Sequence, residues 1–172
     1  MDAHHDIVMN ARRSAGEGTR WYFAYSTILD RTAFDAWRAE HGYATFELPP
    51  GTVAEALDVE LVYDFPSRWW GGRVAGLGNS KGTSVWGRLF EVSEKDWPIV
   101  QHKEGAVTGM AIERRVEVRV QGSVREATAF ITNPERASTQ GAVSGRFVEA
   151  LIRGAVTAEL PPEWVESLRR SA

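Results

Sequence analysis

The sequence contains no cysteine, which excludes disulfides, thiolate metal sites and cysteine nucleophiles. A reducing compartment is compatible with everything that remains. No apolar run approaches the roughly 20 residues that a membrane span needs. Residues 1–20 are polar and lack the apolar centre of a secretory signal, so the expectation is a soluble, cytoplasmic protein with no membrane partner. Concentrated charge is also missing: the formal net charge is −3, with acids and bases interleaved rather than gathered into the basic face that nucleic-acid binding requires. Nucleic acid is therefore not an expected partner. There are only four histidines. His4 and His5 lie side by side, but no further Cys/His cluster completes a site, and no metal is expected. There is no Walker loop, no Gly-x-Ser-x-Gly elbow and no zinc helix. Gly76-Leu77-Gly78-Asn79-Ser80-Lys81 lacks the third glycine of a dinucleotide fingerprint and reads as a turn between strands.

What is present suits one domain, since 172 residues can bury a sizeable core. Residues 1–20 show no period that buries a face and are read as a flexible arm, with a single domain over 21–172. Trp21 to Tyr25 is a compact aromatic run of the kind found in a buried strand. Phe34, Trp37 and His41 recur at helical spacing after Asp30 or Thr32 as cap, which predicts a short helix over 30–41 with His41 at an interface. Pro49, Pro50 and Gly51 break the chain. Val59, Leu61, Tyr63 and Phe65 then alternate as a half-buried strand, and Ser84 to Val92 returns to strand composition, as in a hairpin.

A short helix is expected after Ser93 and Asp96, with Pro98 in its first turns and Gly105 at its end, leaving Glu104 at the exit. Val116, Val118 and Val120 alternate with charged residues and pair with Ala127 to Thr132. Helical spacing over 141–155 and Pro161-Pro162 predict two closing helices. The fold class is α+β: a small closed or nearly closed antiparallel or mixed β-barrel with a few flanking helices.

Four blocks then resemble one family. Tyr22-Phe23-Ala24-Tyr25-Ser26-Thr27-Ile28-Leu29 is similar to the aromatic strand and Tyr-Gly-Ser-Asn-Leu loop of the gamma-glutamylcyclotransferase-like superfamily, which includes AIG2-like proteins and butirosin-type gamma-glutamyl-amine cyclotransferases. Trp70-Gly71-Gly72-Arg73-Val74-Ala75 and Val85-Trp86-Gly87 resemble its glycine strand and its Val-Trp-Gly strand. Lys103-Glu104-Gly105-Ala106-Val107-Thr108-Gly109-Met110 resembles the block that carries its catalytic carboxylate. The blocks stand in the family's order, and the likeness covers roughly 21–170.

The resemblance implies cofactor-free chemistry on a small-molecule γ-glutamyl substrate by a monomer or weak homodimer. The substrate's α-amine attacks its own γ-carbonyl, giving 5-oxoproline and releasing an amine or amino acid. Glu104 would take a proton from the ammonium and return one to the leaving nitrogen. Tyr25, Ser26, Thr27, Ile28 and Leu29 would bind substrate, the loop through its main-chain N–H groups. Two departures stand out. Ser26-Thr27-Ile28 replaces Gly-Ser-Asn, and a serine forced into the glycine's positive-φ conformation would be strained. Ala111 stands where many relatives place a tyrosine, which leaves space. The alternatives are a catalytically inactive small-ligand binding module on the same barrel, or a relative that cleaves another amide or isopeptide bond.

Overall fold

The computed structural model describes residues 18–171. The expected arm over 1–20, with His4 and His5, falls for residues 1–17 outside that range. Five strands, β1 (Thr19–Ala24), β2 (Thr52–Ser67), β3 (Gly72–Ser93), β4 (Ala111–Val120) and β5 (Ser123–Thr132), close into a barrel in the order β1-β3-β2-β4-β5. All neighbours are antiparallel except β1 and β5, which meet in parallel at Tyr22 and Thr128 and complete the ring. Closure leaves the sheet without a free edge.

The period-2 rule for strands explains where the core sits. Phe23 and Tyr25 point inward, to a cluster with Ala54, Ala56, Val85, Val118, Ala127 and Ala129. A five-stranded ring is narrow, and the small alanines make room there for the two large rings. Tyr22 and Ala24 point outward, where helices α1 (Arg31–His41) and α2 (Trp97–Glu104) cover them with Phe34, Trp37, Trp97 and Val100. Helices α3 (Gly145–Thr157) and α4 (Pro162–Arg170) cover another outer face through Phe147, Leu151 and Leu168. The aromatic run is therefore buried on both sides. No helix among the described residues is long and apolar enough to cross a membrane.

The reading of Gly76 to Lys81 as a turn is corrected. Gly76 to Asn79 pair in register with Val62 to Val59, inside β3. A Cβ at Gly76 would lie 2.5 Å from the Thr132 hydroxyl, so this glycine permits a close approach rather than a reversal. The chain does buckle just beyond: pairing jumps from Val59–Asn79 to Leu57–Ser84, and the Gly82 N–H donates to Asp58 Oδ1 at 2.9 Å across the bulge.

Candidate active site

Glu104 closes α2, where Pro98 lies in the first turn and Gly105 terminates the helix in the left-handed region. Its carboxylate reaches back to the barrel wall, where the hydroxyl of fully buried Tyr22 donates to Oε1. The outward parity of Tyr22 on β1 makes this meeting possible, since Phe23 and Tyr25 face the barrel interior. Tyr25 anchors the adjoining wall by donating from its hydroxyl to the Phe130 carbonyl at 2.6 Å.

Burial raises the affinity of Glu104 for a proton above the ordinary glutamate range, while Lys103 and the Tyr22 hydrogen bond pull it partway back. By area the residue is only half-buried, because its one open face is the cavity. Burial pushes the Tyr22 hydroxyl well up, and the neighbouring Glu104 adds to this, so Tyr22 stays a hydrogen-bond donor across the working range.

A cavity of about 220 Å³ opens in front of this carboxyl. Tyr25, Ser26 and Thr27 line it with Glu104. Ile28 and Leu29 do not: both line a different depression, beside Phe34 and Pro50. Ala111 lines the cavity as well and is itself buried.

The loop that carries Ser26 and Thr27 is unstrained. Ser26 sits at φ −122° and ψ −150°, extended backbone open to any residue, and Thr27–Leu29 form one 3₁₀ turn. The positive-φ cost expected for serine here does not arise, because the chain turns through the 3₁₀ segment and never enters the left-handed region. Two hydrogen bonds close the turn, Leu29 N–H to the Ser26 carbonyl and Asp30 N–H to the Thr27 carbonyl. They use neither the N–H of Thr27 nor that of Ile28, as at the start of any helix.

Asp30 ends this turn and anchors it. It is 1 % exposed, caps α1 by accepting from the Ala33 N–H at 3.1 Å, and takes both arms of Arg153 at 3.0 and 2.7 Å. Arg153 belongs to α3, whose Gly154 presses on the same turn. A Cβ there would lie 2.8 Å from the Asp30 nitrogen.

One side of the remaining wall is aromatic. Trp37 stacks on His41 at 4.6 Å between ring centroids and on Tyr43 at 5.4 Å. His102 meets Trp37 and His41 edge-on at 5.3 and 5.1 Å, and Trp69 closes on His41 at 5.5 Å. His41 Nδ1 donates to the Trp37 carbonyl at 2.8 Å, and the Tyr43 hydroxyl lies 3.0 Å from His102 Nδ1. Burial, and then His41, hold the His102 imidazole below its usual range. Among the described residues no group of three or more His, Cys, Asp or Glu side chains is placed to hold a metal ion.

The expected Glu104, Tyr25, Ser26 and Thr27 therefore share one cavity. Tyr22, Trp37, His41, Trp69, His102 and Lys103 also belong to this site and were not expected in it. A signal for Tyr22 was available: an aromatic run at both parities has two buried faces, so a tyrosine on either face needs a partner for its hydroxyl.

Residues 84–168 match the model of the AIG2-like family, a span that includes Glu104 and stops short of the Ser26–Leu29 loop. Among solved structures, a gamma-glutamyl cyclotransferase superposes with a TM-score of 0.68 at 23% identity, over 88% of this chain and 86% of that one. An uncharacterized human protein gives 0.70 at 21% identity, over 88% and 87%. YkqA from Bacillus subtilis gives 0.73 at 18% identity, and this chain covers 57% of that longer one with 98% of its own length. No curated protein sequence matches significantly.

Proposed function

For a chain with the fold of the gamma-glutamylcyclotransferase-like superfamily, we propose cyclotransferase activity: release of 5-oxoproline from a γ-glutamyl amine or peptide, with Glu104 as general base and then general acid. The observation that carries this reading is a lone carboxyl on the wall of the cavity, held by a buried tyrosine hydroxyl and raised in proton affinity by burial.

The chemistry follows from what the substrate lacks. Its α-amine is an ammonium near neutral pH and has no lone pair to offer. Glu104 in its carboxylate form takes one proton, and the freed amine attacks the γ-carbonyl carbon. The tetrahedral intermediate then expels the amide nitrogen, which collects the proton from Glu104 as the C–N bond breaks and also the second proton shed by the attacking nitrogen, so that the ring nitrogen keeps one hydrogen and the amine departs as an ammonium. A carboxyl whose proton affinity lies nearer to neutrality performs both transfers better than an ordinary glutamate. Ring closure is intramolecular, so holding the amine against the carbonyl removes much of the entropic barrier.

Ser26 and Thr27 serve as the glutamyl-head subsite, with the Thr27 and Ile28 N–H groups, left free by the turn, as donors to developing or fixed negative charge. Tyr25 fixes the wall beside them. No cofactor enters this scheme, and the proposal is of a soluble cytoplasmic enzyme acting on a small molecule.

The test is 5-oxoproline release from γ-glutamyl dipeptides, γ-glutamyl amines and glutathione, native protein against Glu104→Gln. Release that disappears in the variant supports the reading. A folded native protein that releases none from any member overturns it, and favours a binding module on the same barrel.

A further inference from the structure

Lys103 immediately precedes the carboxyl of Glu104 and lines the same cavity, yet its ammonium makes no hydrogen bond and no ion pair among the described residues. What it faces is a ring: Nζ stands 5.9 Å from the centroid of Trp37. An ammonium that lines a cavity beside an aromatic face, touches no carboxylate and feels Glu104 only at a distance has its donors free for an incoming anion. The surrounding wall of Trp37, His41, Trp69 and His102 offers flat faces for a planar group.

Taking Glu104 and the Ser26–Thr27 loop as the catalytic and glutamyl-head ends, we propose that this wall is the leaving-group subsite and that Lys103 is its specificity-determining residue. The leaving group it selects carries both an aromatic ring and a carboxylate, as in γ-glutamyl conjugates of aromatic amino acids. This inference rests on the cyclotransferase reading and narrows it. Lys103 repels a cationic leaving group such as a polyamine, so conjugates of cationic amines are poor substrates here. Burial holds the Lys103 ammonium below its usual range, which a bound carboxylate reverses by pairing with it.

The experiment measures kcat/KM for 5-oxoproline release from γ-L-glutamyl-L-phenylalanine, its C-terminal amide, γ-L-glutamyl-L-alanine and γ-L-glutamylputrescine. The acid is expected to exceed its amide by about tenfold, the value of one charge-assisted pair, to exceed the alanine conjugate, and to exceed the putrescine conjugate most of all. Lys103→Met brings the acid-to-amide ratio toward one, whereas Lys103→Arg retains it. Because both members of that ratio use the same Glu104, any effect of Lys103 on the acid/base group cancels. Trp69→Ala, at the rim rather than in the core, lowers the phenylalanine-to-alanine ratio.

Equal rates for acid and amide, or a preference for the putrescine conjugate, overturn the inference while leaving cyclotransferase activity standing. If no member releases 5-oxoproline, the same compounds are titrated against tryptophan fluorescence in the Glu104→Gln protein. Tighter, Lys103-dependent binding of the acid upholds the subsite although the activity has failed, and equal binding of acid and amide sinks both.

Discussion

Asp30 and Glu104 are two carboxyl groups set into this fold, and they meet opposite fates. Asp30 is 1 % exposed and fully matched: it caps a helix and takes both arms of Arg153. Glu104 has one hydroxyl, one neighbouring ammonium that does not touch it, and a cavity. A carboxylate with bidentate and backbone donors is a fastener, because both of its oxygens are already committed. A carboxylate with spare lone pairs, facing an open space, exchanges protons with whatever enters. The comparison therefore separates structure from chemistry by counting partners rather than by depth of burial.

The largest effect that sharpens this contrast is on Glu104. Glu104→Gln is expected to lower turnover by on the order of 10³-fold, the scale of general acid/base catalysis, while near-UV circular dichroism is unchanged. The same variant is expected to melt at a higher temperature at neutral pH. Glu104 in the folded protein holds its proton more tightly than in the unfolded chain. Its contribution thus favours the folded state below the ordinary glutamate range and is lost as pH rises through the folded-state value. Glutamine removes that loss. A melting temperature that falls, with turnover intact, would place Glu104 among the fasteners.

Arg153→Met tests the other member. The guanidinium is half exposed and Asp30 is not, so the variant strands a buried carboxylate, at a cost of about 3 kcal/mol in denaturant unfolding. Because the Ser26–Thr27 turn runs directly into Asp30, KM is expected to rise more than kcat falls. A loss below about 0.5 kcal/mol would mean that the helix cap alone holds the loop.

A smaller shift is expected from Tyr22→Phe, which keeps the ring and removes the hydroxyl. The Tyr22 hydrogen bond lowers the proton affinity of Glu104, so its loss raises that affinity further. The acidic limb of the kcat/KM profile, where the base is protonated, then moves to higher pH. Lys103, Tyr25, His41 and His102 face the same cavity in both proteins, so the displacement between the two profiles isolates the hydroxyl. Coincident profiles would remove Tyr22 from the site.

The barrel was largely legible from the sequence because strands announce themselves by parity and turns by glycine and proline. Both signals are local. Glu104 was legible through its place before Gly105 in an ordered set of motifs. Lys103, Trp37, His41 and His102 were not, since two separate helices bring them together and no spacing along the chain encodes that meeting. Gly76 misled because a glycine that admits a neighbouring strand's Thr132 looks, in one dimension, like a glycine that turns the chain.

The smallest effect concerns Ser26, whose replacement of a glycine suggested a strained and altered loop. Its φ of −122° is ordinary extended backbone, so Ser26→Gly relieves nothing. The substitution instead widens the conformational freedom of the unfolded chain and is expected to cost between a few tenths of a kcal/mol and about 1 kcal/mol, with kcat/KM within about twofold of the native value. A gain in stability would show that the serine is held under strain after all. A gain in turnover would show that the Thr27 and Ile28 N–H groups are misdirected by the serine. The absence of both gains would mean that this loop is held in ordinary backbone geometry, with its orientation set from behind by Asp30 and Arg153 rather than from within by glycine.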